Sequence, residues 1–234
     1  LEIFDAGADM IELGIPFSDP LADGPVIQHS SLSAIKNGVN LKKVLEFTQG
    51  ITTRTDKPVI LMGYANPILN YGTEIFFRDA YNAGAKGVII PDVPLEEYDD
   101  FFEHKPKELD AVLLAAPSSS AGRIKAIDRK SSGFVYCVSM NGTTGKDINS
   151  ASIDGVKKIS STVKKNKIMV GFGISSPEDV IKVAPYCGGV IVGSKIIKMI
   201  DSVGIEGALK TVSDLSAACT AGVKKKESGL SRIL

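Results

Sequence analysis

Two carboxylates near the start of the chain, Glu12 and Asp23, are the residues whose type and spacing could do chemistry. Glu12 stands in the apolar run 10–13, which predicts a strand covered on both faces, and Asp23 lies in the loop that follows. A carboxylate buried there must be paired or face a cavity, because burying it ionised and alone is costly. Since burial also raises a carboxyl pKa toward the range of a general acid or base, we predict a functional Glu12. Asp23 precedes a glycine and by itself is more typical of a turn.

Glycine loops near the end of the chain have the pattern of a phosphate-binding site. The segments 171–176 and 193–194 each follow an apolar run and precede a predicted helix. Backbone N–H groups at a helix N-terminus hold an anion without a lysine, although either loop alone could simply be a tight turn. Two such loops after adjacent strands favour phosphate. A third glycine loop, 141–145, suits either a lid over a site or an ordinary connection.

Three aromatic residues, Tyr64, Tyr136 and Phe172, stand at the carboxyl ends of predicted strands. Each alone is more often a core residue, but three at that end of a sheet support a flat, aromatic ligand.

Composition excludes several classes of protein. The 234 residues contain 27 basic and 27 acidic side chains, so no net charge attracts nucleic acid or an anionic membrane. The lysines at 224–226 adjoin Glu227 and indicate a solvated helix end rather than a nucleic-acid tail. Three scattered cysteines suggest neither a disulfide framework nor a zinc site, which fits a cytoplasmic protein. No apolar run approaches the roughly 18 residues of a transmembrane helix, and no signal peptide is recognisable.

Strand and helix patterns alternate along the whole chain. Strands are predicted at 10–13, 59–64, 87–91, 110–116, 134–140, 167–172 and 189–192, and helices at 26–37, 41–53, 74–83, 95–104, 121–130, 152–165, 177–184 and 195–226, the last with a break near Gly204. Seven strands, each followed by a helix, predict an α/β fold: a single (β/α)₈ barrel domain over residues 1–234. The first strand and most of the first helix are expected to be missing from this sequence. A doubly wound open sheet is the alternative, which the lack of an early GxGxxG disfavours in its dinucleotide-binding form.

In a barrel the active site lies at the carboxyl ends of the strands. Glu12 near the end of its strand and Asp23 in the next loop both fall there.

The segment ELGIPFSDPLADGP at 12–25 resembles the signature of the tryptophan synthase alpha subunit family. Further stretches are similar to the same family and occur in its order: LMGYANP at 61–67, PDVPLEE at 91–97, GTTG at 142–145, GFGISSP at 171–177 and GS at 193–194. The resemblance covers nearly the whole chain and is far more specific than a spaced-glycine motif.

This resemblance implies a lyase of tryptophan biosynthesis that cleaves indole-3-glycerol phosphate to indole and glyceraldehyde 3-phosphate in a retro-aldol reaction. Glu12 matches the carboxylate that protonates C3 of the indole ring and helps remove the side-chain hydroxyl proton. Asp23 matches the carboxylate that bonds the ring N–H and stabilises positive charge on the ring. No metal or organic cofactor is implied for this chain.

The resemblance also assigns residues that bind the substrate and the partner. Gly145, Gly173, Gly193 and Ser194 match phosphate-binding positions; Tyr64, Tyr136 and Phe172 match the indole pocket; Thr144 matches a lid threonine; Asp19 and Pro20 match the loop that faces the partner. The implied partner is the pyridoxal-phosphate beta subunit, which receives indole through a tunnel in an α2β2 complex. In a plant, the location would be the plastid.

One departure from the family pattern is Met140, which stands where an arginine is common. A binding subunit that mainly activates its partner, and a different phosphate-binding barrel such as an isomerase, are therefore kept as alternatives. The lack of an evident catalytic lysine disfavours a Schiff-base aldolase.

Overall fold

The computed structural model describes residues 1–138, 150–171 and 173–230, with backbone alone for 223–230. The strands are β1 Ile11–Gly14, β2 Val59–Met62, β3 Gly87–Ile89, β4 Asp110–Ala115, β5 Phe134–Val138, β6 Lys167–Gly171 and β7 Gly189–Val190. The α-helices are α1 Glu2–Asp5, α2 Pro25–Lys36, α3 Leu41–Thr52, α4 Ala65–Tyr71, α5 Thr73–Asn82, α6 Tyr98–Phe101, α7 Ala121–Lys130, α8 Ser150–Thr162, α9 Pro177–Val183, α10 Ser194–Val203 and α11 Ile205–Leu230.

All seven predicted strands form, and two helix predictions need correction. Helix α4 is not among the predicted helices, and the strand predicted at 59–64 ends earlier, at Met62. Pro67 is the third residue of α4, where a backbone N–H has no partner within the helix, so proline is tolerated. The helix expected at 95–104 is instead a 3₁₀ turn, Leu95–Glu97, followed by the short α6. In this shorter segment the centroids of the Tyr98 and Phe102 rings lie 4.8 Å apart, so the two rings pack against each other.

The chain divides into two compact units, of which the first contains residues 9–113, together with 1 and 130–133. Its strands are parallel and paired in chain order, with Glu12 opposite Ile60, Ile60 opposite Gly87 and Gly87 opposite Asp110. This order has no reversal, unlike a doubly wound sheet, where the chain changes direction at a switch point. The core of this unit is built from α3, α5 and the inward side chains of β2 and β3, among them Val44, Leu61, Phe76, Phe77 and Val88.

The second unit contains residues 2–8, 114–129 and 134–234. β5, β6 and β7 are parallel and again paired in chain order, with Phe134 opposite Lys167 and Met169 opposite Gly189. Its buried apolar side chains come from the strands and from the helices around them, including Ile124, Val135, Ile159, Val170 and Val180. The organisation of residues 1–234 as a single domain stays a prediction.

A buried carboxylate holds the loop that leads into β6. Asp128, 5% exposed at the end of α7, accepts hydrogen bonds from the backbone N–H groups of Lys164, Lys165 and Asn166 at 2.7, 2.9 and 3.0 Å. These bonds hold the pKa of Asp128 below its usual value, against the opposing effect of burial. The loop at the amino end of β6 is thus held by one ionised side chain.

Candidate active site

The accessible side of β1 carries Glu12. Side chains alternate along a strand, so Glu12 and Gly14 share one side, and both are exposed while Ile11 and Leu13 are partly buried. The expectation that both faces of this strand are covered is therefore wrong. Nothing packs against Gly14 on that side of the strand, since a Cβ built there would meet nothing within 4 Å. Open space lies beside the carboxylate at the carboxyl end of the strand.

Glu12 combines solvent access with a strongly perturbed acidity. Its pKa is raised from 4.5 to about 7, first by desolvation from the surrounding protein and second by the negative charge of Asp23. An exposed side chain that is nevertheless desolvated lies in a recess, where a ligand can reach it and bulk water is scarce. Near neutral pH the group is therefore partly protonated, as a residue that both gives and takes a proton requires.

Asp23 is 9% exposed and lies in the loop between β1 and α2. A turn sets its position, since its N–H donates to Pro20 O at 3.0 Å and its own carbonyl accepts from Gln28 Nε2 at 2.9 Å. Burial raises the pKa of the Asp23 carboxyl, and a hydrogen bond from Tyr64 opposes that rise. Asp23 closes this turn, whereas Gly24 is the extended N-cap of α2. The Asp23 carboxylate lies inside rather than in solvent.

Tyr64 is the residue that holds this carboxylate. It follows β2, and its hydroxyl donates to Asp23 Oδ2 at 2.9 Å and accepts from the Ala22 N–H at 3.1 Å. Its ring lies 5.6 Å from that of Phe17, whose own N–H and carbonyl are both bonded to the Ser31 hydroxyl at 2.8 Å. Burial and the Asp23 charge raise the pKa of Tyr64, which keeps the phenol protonated and able to donate.

Asp92 extends the arrangement to the next strand, and sequence reasoning missed it. It follows β3, and its two oxygens accept from the Ala65 N–H at 2.9 and 3.2 Å, directly after Tyr64. The carboxyl ends of β1, β2 and β3 are thus linked through Asp23, Tyr64 and Asp92. The available signal was an aspartate just after a strand and before Val93-Pro94.

In the second unit, Ser194 begins α10 and Gly193 precedes it. Within the described part of the chain, the Ser194 hydroxyl is the one buried side-chain oxygen or nitrogen without a hydrogen-bond partner. Leaving a buried hydroxyl unpaired costs free energy, so the position suits a ligand that accepts a hydrogen bond there. The first N–H groups of α10 add partial positive charge at the same place.

The other predicted residues of this unit are Gly173 and Tyr136. Gly173 follows β6 with a φ of +83°, a conformation that favours glycine. Tyr136 is buried in β5, and its ring passes so close to Gly171 that a Cβ there would lie 2.1 Å from the tyrosine hydroxyl. Glycine at 171 is therefore required for this ring position.

The predicted residues fall into three groups. Glu12, Asp23, Tyr64, Asp19 and Pro20 lie in the first unit, and Tyr136, Gly173, Gly193 and Ser194 lie in the second. Met140, Thr144, Gly145 and Phe172 lie outside the described residues.

Of the two predicted partner-facing residues, Asp19 is exposed and Pro20 is buried. The neighbouring Leu21 is 90% exposed, which sequence reasoning did not single out. Because Leu21 adjoins the two residues predicted to face the partner, it is a candidate contact for that partner.

No cluster of three or more His, Cys, Asp or Glu side chains suited to a metal occurs in the part of the chain that the structure describes. None of the helices within the described ranges is both long and apolar enough to cross a membrane.

Comparison with known proteins gives one consistent result. The family model for the tryptophan synthase alpha chain matches residues 1–227. The alpha chain of Petrotoga mobilis is 47% identical over 205 residues, covering 86% of this chain and 79% of that protein. The alpha chain of Geotalea uraniireducens is 42% identical over 227 residues, covering 96% and 85%.

Solved structures agree with the sequence relatives. Mycobacterium tuberculosis tryptophan synthase aligns with a TM-score of 0.84 at 32% identity, covering 93% of this chain and 84% of that one. The alpha chain from Legionella pneumophila aligns with a TM-score of 0.83 at 32% identity, covering 94% and 83%. The predicted fold class, a (β/α)₈ barrel, is confirmed by this agreement.

Proposed function

The chain belongs to the tryptophan synthase alpha chain family, and we propose that Glu12 and Asp23 are the residues that carry out its reaction. That reaction is the retro-aldol cleavage of indole-3-glycerol phosphate to indole and glyceraldehyde 3-phosphate, a lyase step of tryptophan biosynthesis. The observation that best supports the assignment is the pKa of Glu12, raised to about 7 beside the buried Asp23.

Glu12 acts as both acid and base. Its protonated form donates a proton to C3 of the indole ring, which makes that carbon tetrahedral and leaves an indolenine cation. The substrate hydroxyl on the carbon attached to C3 then loses its proton to the Glu12 carboxylate. The electron pair of this oxygen forms the aldehyde carbonyl as the bond between that carbon and C3 breaks. The electrons of the broken bond restore the neutral indole ring. A pKa about 7 keeps both protonation forms accessible at neutral pH.

Asp23 stabilises the cation. Tyr64 binds Oδ2 of the carboxylate, and we assign the other oxygen, Oδ1, to the N–H of the indole ring. Positive charge on the ring strengthens that hydrogen bond, so the interaction is stronger in the transition state than with bound substrate. The buried Tyr64 holds the carboxylate in place, so little reorganisation is needed during the reaction.

The phosphate group binds the residues of the second unit in this proposal. Ser194 supplies a hydroxyl without a protein partner, and Gly193 with the start of α10 supplies backbone N–H groups. Gly173 contributes at the loop after β6. Gly145 as a phosphate ligand, Thr144 as lid residue and Tyr64, Tyr136 and Phe172 as the indole pocket stay predictions.

The family implies a beta-subunit partner. We propose an α2β2 complex in the cytoplasm, in which indole passes to the beta subunit through a tunnel. In this complex pyridoxal phosphate belongs to the beta subunit, and the alpha chain uses no cofactor of its own. The loop with Asp19, Pro20 and the exposed Leu21 is proposed to face the partner.

The decisive experiment measures indole release from indole-3-glycerol phosphate with and without a beta subunit. We expect slow release by the chain alone and faster release on adding the partner. A folded chain that forms no indole in either mixture but accelerates the beta subunit's use of added indole would instead indicate an activating subunit without catalysis. No indole and no such activation, from folded protein, would indicate a different phosphorylated substrate.

A further inference from the structure

Asp179 makes more hydrogen bonds to the loop after β6 than the helix it belongs to requires. Its carboxylate is 4% exposed, and Oδ2 accepts from the Ser175 N–H at 3.2 Å, the Ser175 hydroxyl at 3.1 Å and the Ser176 hydroxyl at 3.0 Å. The other oxygen faces Lys182 Nζ at 3.3 Å. One buried carboxylate thus holds two consecutive loop residues.

An ordinary helix cap does not account for this pattern. Ser176 is the N-cap of α9 and already accepts from the Asp179 N–H at 3.3 Å. In a capping box the third helical residue bonds the N-cap N–H in return. Here Asp179 reaches one residue further back, to both the N–H and the hydroxyl of Ser175. The bonds therefore fix the loop before the helix as well as the helix end.

The loop so fixed is the short segment 173–176. Gly173 has a φ of +83° and no side chain to restrain it, whereas Ile174 is buried at 5% exposure. Between them, the buried Ile174 and the bonds to Ser175 and Ser176 hold the segment immediately after Gly173. The orientation of the Gly173 backbone therefore depends on the hydrogen bonds that Asp179 accepts from Ser175 and Ser176.

We propose that Asp179 is a positioning residue for substrate phosphate, which fixes the loop 173–176 so that Gly173 presents its backbone to the anion. This inference rests on the proposed phosphate-binding role of Gly173. Asp179 acts only through the loop and does not touch the substrate.

The chain contains a matched control for this role. Asp128 is also buried, also has a lowered pKa and also holds a loop of the second unit through several hydrogen bonds. Its loop, however, precedes β6, whereas the Asp179 loop follows it. Because active sites of this fold lie at the carboxyl ends of strands, only the Asp179 loop is on the catalytic side.

The test compares wild type, Asp179→Asn and Asp128→Asn in the cleavage of indole-3-glycerol phosphate, with inorganic phosphate as competitive inhibitor. We expect Asp179→Asn to raise both KM and the inhibition constant of inorganic phosphate about tenfold, with kcat within about twofold of wild type. Asp128→Asn should leave all three values unchanged at a temperature where it is folded. A purely structural Asp179 would lower the stability of its variant as Asp128→Asn does, without the change in KM.

The possible outcomes distinguish the positioning role of Asp179 from the proposed function of the chain. If wild type cleaves the substrate and is inhibited by phosphate, but Asp179→Asn has unchanged constants, the positioning role is overturned while the proposed function stands. If wild type forms no indole, the proposed function itself fails. Should Asp179→Asn not fold, Ser175→Ala removes one of the three bonds to Oδ2 and should raise the phosphate inhibition constant about threefold; an unchanged constant overturns the inference.

Discussion

The hydroxyl of Tyr64 donates a 2.9 Å hydrogen bond to Oδ2 of Asp23, although the two residues are 41 positions apart in the chain. This bond opposes the rise in the Asp23 pKa that burial causes. It therefore supports the ionised form that the proposed mechanism needs.

Replacing Tyr64 by phenylalanine should lower kcat/KM about 10- to 100-fold, since a carboxylate in a partly apolar site loses its donor. Without that bond the Asp23 pKa rises further, so activity should be lost at a higher pH on the acid side than in wild type. The pH profile of kcat/KM measures both effects. Tyr81→Phe, at an exposed tyrosine of α5, is the control; an equal profile for the two variants would contradict the positioning of Asp23 by Tyr64.

Glu12→Gln should abolish indole formation, with a loss of at least about 1,000-fold, because the amide neither gives nor takes a proton. Its circular dichroism spectrum should match wild type. Glu46→Gln, on the exposed side of α3, should keep full activity. Residual activity of Glu12→Gln within tenfold of wild type would remove Glu12 from the mechanism.

The same substitution should change how stability depends on pH. A folded-state pKa about 7 against 4.5 means that the folded protein binds more protons than the unfolded chain between these values, so wild type loses stability as pH rises through that range. Glu12→Gln should lack this loss and gain stability relative to wild type between pH 5 and pH 8. Urea unfolding at the two pH values checks the sign, and a constant difference would contradict the raised pKa.

Ser194→Ala should weaken phosphate binding without destabilising the protein. The hydroxyl has no protein partner, so removing it costs no internal hydrogen bond and should leave the free energy of unfolding equal or slightly higher. The inhibition constant of inorganic phosphate should rise about threefold to tenfold. Ser202→Ala removes a hydroxyl that bonds the Lys198 carbonyl at the other end of α10, and it should leave phosphate binding unchanged.

Asp128→Asn should lower the free energy of unfolding at pH 7 by about 2 kcal/mol, because its carboxylate accepts several backbone hydrogen bonds. The folded-state pKa of Asp128 is lowered, so its stabilisation is present above the unfolded value and is lost as pH falls through the folded one. The difference between wild type and variant should therefore shrink below about pH 4. Urea unfolding at pH 7 and pH 3 measures it; a difference that grows in acid would contradict the prediction.

Leu21→Ser should weaken association with the beta subunit and leave the chain's own slow cleavage unchanged. The side chain is 90% exposed, so its loss removes no core packing, whereas a partner surface would bury it. We expect about tenfold more beta subunit to be needed for half-maximal activation. Phe47→Ser, at an exposed phenylalanine of α3, is the control, and equal partner requirements for both variants would place the interface elsewhere.

Much of the fold follows from local patterns in the sequence. Apolar runs such as 59–62 indicate strands, and glycines such as Gly84 indicate where helices end. The alternation of strands and helices could therefore be predicted. Helix α4 could not, because a proline in the first turn and a proline that ends a helix look alike without knowledge of where the helix begins.

The candidate site was predictable where a residue type alone indicates chemistry. Glu12 stands out as a charge in an apolar strand. The sequence indicates Tyr64 for its ring, but its bond to Asp23 depends on the pairing of β1 with β2, which brings distant segments together. Asp179 has the sequence context of an ordinary helix cap, and Asp92 that of a loop residue just after a strand. The hydrogen-bond partners show which backbone groups each carboxylate holds.

The two units of the chain carry different parts of the proposed site. The proposed catalytic carboxylates Glu12 and Asp23, with the Tyr64 that holds Asp23, lie in the first unit, while the proposed phosphate ligands Gly173, Gly193 and Ser194 belong to the other unit. Mutations that alter proton transfer and mutations that alter anchoring of the substrate therefore fall in different stretches of the gene. Under the proposed roles, selection can therefore change turnover and affinity through different segments of the chain.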